Sequence, residues 1–168
     1  MNENRREIME NVYLTYLPAT KFKTGCLSAQ LVTPLRRETA AWNALLPPVL
    51  SRGTVRYPDM ESLSAAMDRL YGMNLSTTIR KRGERQCVGF VTTVIDDRYV
   101  PGGEPLLEPA AQLLGELFLD PVTRGGRFLP EYVESEKTNL IDSIRSIRND
   151  KRDWADRRLL EEMCAAEP

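Results

Sequence analysis

The side chain best suited to acid–base and metal chemistry near neutral pH is histidine. None of the 168 residues is a histidine. This excludes a Ser-His-Asp triad, a Cys-His pair and any zinc site built on imidazole. Chemistry based on carboxylates, lysines, tyrosines or thiols remains open.

Carboxylates occur at two places where they could act together. Asp96 and Asp97 follow a predicted strand and could bind a divalent cation. Adjacent carboxylates at a strand end are more often solvated loop residues, which is the reading we favour. Several acidic and basic side chains share a predicted helix and are typical of surface ion pairs: Glu134, Glu136, Asp142, Lys137 and Arg145.

Thiols and glycine pairs give weaker signals. Cys26, Cys87 and Cys164 are odd in number, widely spaced and outside any CxxC motif. We therefore expect buried or half-buried structural thiols in a reducing compartment, with a reactive thiol as the alternative. The pairs Gly102-Gly103 and Gly125-Gly126 lack the spacing of phosphate-binding loops and predict ordinary turns.

Composition indicates one globular domain without an obvious charged partner. Apolar residues make up 42% of the chain, and 23 basic residues balance 24 acidic ones. We therefore predict no nucleic acid and no membrane as partner. Residues 1–10 lack the apolar core of a signal peptide, and no apolar run approaches the roughly 20 residues of a membrane span. The expected location is the cytoplasm.

Hydrophobic periodicity predicts the elements that must position these side chains. Alternation over 11–17 and 25–33 predicts a first hairpin, and alternation over 75–80 and 86–95 predicts a second. A helix over 34–50 should kink or break at Pro47 and Pro48, which cannot donate backbone hydrogen bonds. Further helices are predicted after an Asp59 N-cap and over 106–119, 130–149 and 153–165. The fold class is α+β, an antiparallel sheet of two hairpins with helices on one face.

The order of motifs resembles a known family. Residues 44–54 read Ala-Leu-Leu-Pro-Pro-Val-Leu-Ser-Arg-Gly-Thr and precede a capped helix that ends in Leu-Tyr-Gly-Met-Asn-Leu-Ser. The arrangement is similar to the N-terminal region of the insulinase/pitrilysin zinc peptidases, where an HxxEH helix runs into a (K/R)-G-T element. Residues 132–144 resemble the family's ExExxxxxxxE helix, and Asp120-Pro121 resembles the element before it. The likeness covers nearly the whole chain.

The departures fall on the zinc site. In this register the two family histidines correspond to Ala44 and Pro48, the catalytic glutamate to Pro47 and the third metal ligand to Ser143. Alanine and proline cannot ligate zinc, and proline cannot abstract a proton. We therefore predict no catalytic residue, no metal site and no cofactor.

The resemblance implies a degenerate subunit. Residues 22–24, 70–72 and 158–164 are closest to a non-catalytic bacterial branch associated with elongation factor P 5-aminopentanol modification. Such a chain would keep the metalloprotease-like fold and pair, as a heterodimer, with an HxxEH-bearing sister subunit, or associate with itself. An unfolded peptide is a further expected ligand. Residues 1–168 would form one N-terminal half-domain of a longer chain.

Two other readings stay open. One is a stand-alone peptide- or protein-binding module that uses a sheet edge such as 12–17. The other is an enzyme with a different mechanism, which no residue spacing supports.

Overall fold

The computed structural model describes residues 4–165. Its seven strands are β1 (Arg5–Met9), β2 (Val12–Thr15), β3 (Thr24–Pro34), β4 (Asn74–Arg82), β5 (Arg85–Ile95), β6 (Thr123–Arg124) and β7 (Arg127–Phe128). Its five α-helices are α1 (Arg37–Leu50), α2 (Met60–Arg69), α3 (Leu107–Leu119), α4 (Pro130–Ser146) and α5 (Lys151–Met163). The predicted α+β class and the predicted helices are confirmed.

A three-stranded antiparallel sheet is the framework of the fold, with β5 between β3 and β4. Phe90, in the middle of β5, lies opposite Ala29 of β3 and Thr77 of β4. Phe90 is fully buried and packs edge-on against Phe118, with ring centroids 5.1 Å apart. Central strands of this kind need apolar residues because neighbouring strands and helices exclude water from them.

The core lies where β5 meets the first three helices. It is formed by Leu50, Leu63, Met73, Phe90, Val94, Ala110, Leu113, Leu114 and Leu117. Leu27 and Leu75 pack against this cluster from the flanking strands. Both pair with Thr92 in the register, so they point to the same sheet face as Phe90. The apolar periodicity of the helices therefore serves one core.

The predicted first hairpin is wrong. The strand β2 pairs with β1, while β3 pairs with β5. Alternation shows that a segment is a strand but does not name its partner. The sequence signal for the true pairing of β1 with β2 is the two-residue Glu10-Asn11 loop between them, in which Asn11 takes a left-handed φ of 61°. The predicted second hairpin is confirmed as β4 and β5.

The predicted break at the proline pair is also absent, because α1 continues through Pro47 and Pro48 to Leu50. Because an α-helical amide donates to the carbonyl four residues earlier, the two prolines remove only the bonds to the Asn43 and Ala44 carbonyls, and the helix ends three residues after Pro47. The Ser51 amide donates to the Pro47 carbonyl at 3.0 Å, and the Ser51 hydroxyl donates to the Pro48 carbonyl at 2.7 Å. Burial of Val49 and Leu50 adds to these bonds.

Helix starts follow the sequence signals closely. Asp59 caps α2 by accepting from the Ser62 amide at 2.8 Å, in a reciprocal capping box. Pro130 opens α4, where a missing amide hydrogen costs no helical bond. Gly125 and Gly126 form the predicted turn, here between β6 and β7.

Within residues 4–165 the helices are all too short or too polar to span a bilayer.

We expect Leu117→Ala to lower the free energy of unfolding by about 2–5 kcal/mol, since it empties a fully buried position. Leu119→Ala, on the same helix and 80% exposed, is the matched control and should cost less than about 0.5 kcal/mol. Urea denaturation of both variants measures the difference. Equal losses would contradict the placement of the core.

Candidate functional site

The end of α1 carries three of the four positions that the resemblance aligns with the zinc site of the insulinase/pitrilysin peptidases. Ala44 and Pro48 are half-buried and, four residues apart, lie on one face of the helix. Pro47 is buried. Ser143 lies on α4 and is exposed, and its carbonyl accepts from the Ser146 hydroxyl at 2.8 Å. The structure packs α1 against α4, but these four positions offer no pair of metal-binding side chains.

An ion pair joins the end of α1 to α4. The Arg52 guanidinium binds the Glu136 carboxylate, and these side chains are only 21% and 13% exposed. Its Nη2 also donates to Ser135 Oγ at 3.0 Å, and its Nη1 to Met60 Sδ at 3.2 Å. The Tyr132 ring centroid lies 5.9 Å from its Cζ. Every polar group of Arg52 that the helices cover therefore has a partner.

Sequence reasoning missed the role of Glu136. The pairs expected along α4 do form, between Glu134 and Lys137 at 3.3 Å and between Asp142 and Arg145 at 3.7 Å. Glu136 instead reaches across to another helix. Local spacing favours the i,i+3 and i,i+4 partners and carries no information on Arg52, 84 residues away.

Gly53 and Thr54 fasten the same end of α1 to the segment after α3. Thr54 is fully buried, its amide donates to the Tyr57 carbonyl at 2.7 Å, and its hydroxyl accepts from the Tyr57 amide at 3.0 Å. A bridge pairs Thr54 with Pro121. A Cβ at position 53 would lie 2.7 Å from the Tyr57 carbonyl oxygen, so only glycine fits. The Arg-Gly-Thr element therefore has a structural role that needs no metal.

Asp96 and Asp97 are occupied by the protein's own donors. Asp96 accepts two hydrogen bonds from the Arg98 guanidinium, both at 2.9 Å, and Asp97 accepts from the Leu106 amide at 2.9 Å. The Arg98 bonds lower the pKa of Asp96 to about 2. Among the described residues no group of three His, Cys, Asp or Glu side chains could hold a metal ion. Asp96 and Asp97 therefore accept hydrogen bonds from the protein itself, and neither contact supports a cation site there.

The cysteines and a surface cleft between α2 and α3 lie away from the contact of α1 with α4. All three cysteines are free thiols. Cys87 is buried, as expected, but Cys26 and Cys164 are exposed, so the expectation of buried or half-buried thiols is wrong for these two. A cleft of about 360 Å³ between α2 and α3 includes Arg56, Arg69 and Glu116 in its lining. Arg56 donates to Glu116 at 3.3 Å. None of the four degenerate positions lines this cleft.

Comparison with known proteins finds one similar protein with an informative name. No family model matches the chain. The chain is 37% identical over 148 residues to a protein of Bacillus subtilis (strain 168) named "Probable inactive metalloprotease YmfF". The match covers 88% of this chain and 35% of that protein. This similarity supports an inactive metalloprotease-like class.

A solved structure agrees with the fold. The crystal structure of a conserved protein from Enterococcus faecalis V583 matches with a TM-score of 0.80 and 28% sequence identity. The match covers 89% of this chain and 35% of that one. The chain thus spans about a third of the length of each of these two proteins.

Removing both partners of the Arg52–Glu136 pair should reveal strong coupling. We expect the double-mutant cycle of Arg52→Met and Glu136→Gln to give a coupling free energy of about 1–3 kcal/mol, because the pair is largely buried. The control pair, Arg124 and Glu131, is 73% and 52% exposed and should couple by less than about 0.5 kcal/mol. Urea denaturation measures the coupling free energy of both pairs. Equal coupling would contradict the prediction that the Arg52–Glu136 pair contributes more to stability than the exposed pair.

The stabilising contribution of Asp96 should depend on pH. Its folded pKa is depressed from 3.8, so its bonds stabilise the fold fully above that value and are lost as the pH falls through about 2. Asp96→Asn should therefore destabilise the protein near neutral pH, and its difference from wild type should shrink in acid. Denaturation midpoints over this range measure the effect. Asp68→Asn, at an exposed position on α2, controls for the loss of a carboxyl.

Proposed function

We propose that the chain is a non-catalytic, insulinase-like subunit that works beside an active zinc peptidase in peptide or protein processing. The observation that carries the proposal is the junction of α1 and α4. The two helices remain packed and joined by Arg52 and Glu136, while the four zinc-site positions lack the side chains that bind zinc. The packing of the two helices is therefore present without the side chains that zinc catalysis needs.

Peptide hydrolysis by zinc needs a bound water, ligands that hold the metal and a base that takes a proton from the water. Ala44 and Pro48 have no donor atom in their side chains, and Pro47 has no group that accepts a proton. Ser143 offers one neutral hydroxyl, exposed on α4. Because the chain contains no histidine, no neighbouring residue can provide the imidazole ligands in place of these four positions.

The similarity to a relative named as a probable inactive metalloprotease supports the metalloprotease-like class of this chain, and its pairing with an active peptidase is our proposal. The similarity to a probable inactive metalloprotease fits a retained fold without catalysis. We further propose that residues 1–168 act as one half-domain of the non-catalytic branch associated with elongation factor P modification. The expected partner is an HxxEH-bearing sister subunit. The three free thiols fit a cytoplasmic setting, where thiols stay reduced.

The purified chain should show no chelator-sensitive cleavage of unstructured peptides. The same assay is repeated with the HxxEH-bearing sister added, which should bring cleavage that chelators abolish. Peptide mass spectrometry of the digests reads out both arms. Chelator-sensitive cleavage by this chain alone would end the proposal.

A reconstructed variant provides a control that does not depend on activity. Ala44→His, Pro47→Glu, Pro48→His and Ser143→Glu together restore the ligand types, and this variant should bind zinc more tightly than wild type. Competition titration with a zinc indicator measures the two affinities. A variant that folds but binds no better than wild type would contradict the residue register on which the proposal rests.

The alternative is a peptide- or protein-binding module that works without a peptidase. The hairpin of β1 and β2 favours it, because β2 pairs only with β1 among the described strands and exposes Val12, Tyr13 and Leu14. An extended peptide pairs readily with such an edge. Recovery of the HxxEH-bearing sister in pull-downs from the native host favours the subunit, and its consistent absence favours the module.

A further inference from the structure

Three arginines cluster on one face of the hairpin of β4 and β5, next to its turn. Arg82 and Arg85 are direct cross-strand partners on either side of Gly83 and Glu84. Arg80 lies two residues before Arg82 on the same strand, so its side chain points to the same face. All three arginines are exposed. We call these three residues the arginine cluster.

The arginine cluster lies on the sheet face away from the core. Phe90 of β5 belongs to the core. Arg85 is an odd number of residues away from Phe90 on the same strand. Because successive side chains of a strand alternate between the two faces, Arg85 points away from the core. The helices that build the core therefore lie on the other side of the sheet from the cluster.

The charges of the cluster repel one another. Like charges at directly opposite positions of two strands destabilise a sheet, and Arg82 faces Arg85 in this way. This placement is set by the register of one hairpin and does not depend on any residue outside it. The ion pairs found within residues 4–165 involve none of the three arginines.

The nearest acid in the sequence does not neutralise the cluster either. Glu84 is the only acidic residue between positions 74 and 95. It is in none of the ion pairs of the described part of the chain. The hairpin therefore carries an electrostatic repulsion that an anion from another molecule would relieve.

The spacing of the cluster fits the carboxylates of an extended peptide. Alternate residues of a strand, such as Arg80 and Arg82, lie roughly 7 Å apart on one face. Alternate carboxylates of an extended acidic peptide have the same spacing. A guanidinium binds a carboxylate through two parallel hydrogen bonds, which makes arginine better suited than lysine to this contact.

Other polyanions fit the surface less well. Proteins that bind single-stranded nucleic acid stack its bases on aromatic side chains, and residues 74–87 contain no aromatic side chain. A long polyanion would also meet the rest of a chain whose formal net charge is −1. A short acidic segment needs only the cluster.

We propose that the arginine cluster binds an extended acidic segment of another protein, in which Asp or Glu occupies alternate positions. Successive carboxylates would bind Arg80 and Arg82, and the charge of the segment would relieve the repulsion between Arg82 and Arg85.

The proposal goes beyond the subunit function and does not depend on it. It concerns a surface on the opposite side of the sheet from the core, with no peptidase and no metal present. A failed peptidase assay would leave it untouched, and a chain that binds no acidic peptide would leave the proposed function untouched.

The test is a binding titration with a labelled peptide in which Glu alternates with Ser. Fluorescence anisotropy at low salt should show binding to the 168-residue chain, and the binding should weaken as salt is added. A peptide with the same Glu and Ser content, but with all Glu in one block, should bind more weakly because its carboxylates do not match the spacing.

A pair of substitutions locates the contact. Arg80→Gln together with Arg82→Gln should weaken binding at least about tenfold. Arg127→Gln together with Arg157→Gln is the matched control, since it removes the same total charge from exposed positions elsewhere. The control should leave the dissociation constant nearly unchanged.

A charge reversal keeps the proposal falsifiable if the double variant fails to fold. Arg82→Glu places a carboxylate opposite Arg85, and opposite charges at cross-strand positions stabilise a sheet. This variant should therefore raise the melting temperature measured by circular dichroism and abolish binding of the alternating peptide.

Three outcomes would overturn the proposal. The first is a wild-type chain that does not bind the alternating peptide, or binds it no better than the block peptide. The second is equal weakening by the double variant of the cluster and by its control, which would mean that the cluster is not the contact. The third is tighter binding of a single-stranded oligonucleotide of equal charge, or of vesicles of phosphatidylserine and phosphatidylcholine, which would assign the cluster to nucleic acid or to a membrane instead.

Discussion

The arrangement of the helices depends on how the end of α1 is fastened. Arg52 joins it to α4 through Glu136, while Gly53 and Thr54 join it to the segment after α3. A largely buried ion pair contributes to stability only where further hydrogen bonds satisfy its remaining groups, and Arg52 makes such a bond to Ser135 Oγ. Because three consecutive residues make these contacts, one short turn joins the end of α1 both to α4 and to the segment after α3.

This attachment explains how the fold can persist without the chemistry of a zinc peptidase. The contacts that hold α1 against its neighbours use side chains and backbone groups outside the four degenerate positions. Pro47 and Pro48 remove two helical amide donors, yet Ser51 and the burial of Leu50 keep the last turn in place. The packing of the helices therefore needs no metal-binding side chain at these four positions.

The local elements were predictable wherever the signal is local. The Asp59 cap and the Pro130 helix start follow from side chains that act on backbone groups within one turn. Pairing was not predictable for the first strands, because β2 alternates equally well against β1 or β3. Glu136 shows the same limit at the candidate site, since its partner is distant in sequence.

By itself the sequence determined which chemistry is excluded, because a chain without histidine cannot form the site that its motif order resembles. It also determined the α+β class, since helical and strand periodicities are properties of the residues themselves. Only the tertiary structure decided that Arg52 binds Glu136 and that β5 lies between β3 and β4. Both facts depend on which distant segments meet, and that is set by burial of the shared core rather than by local spacing.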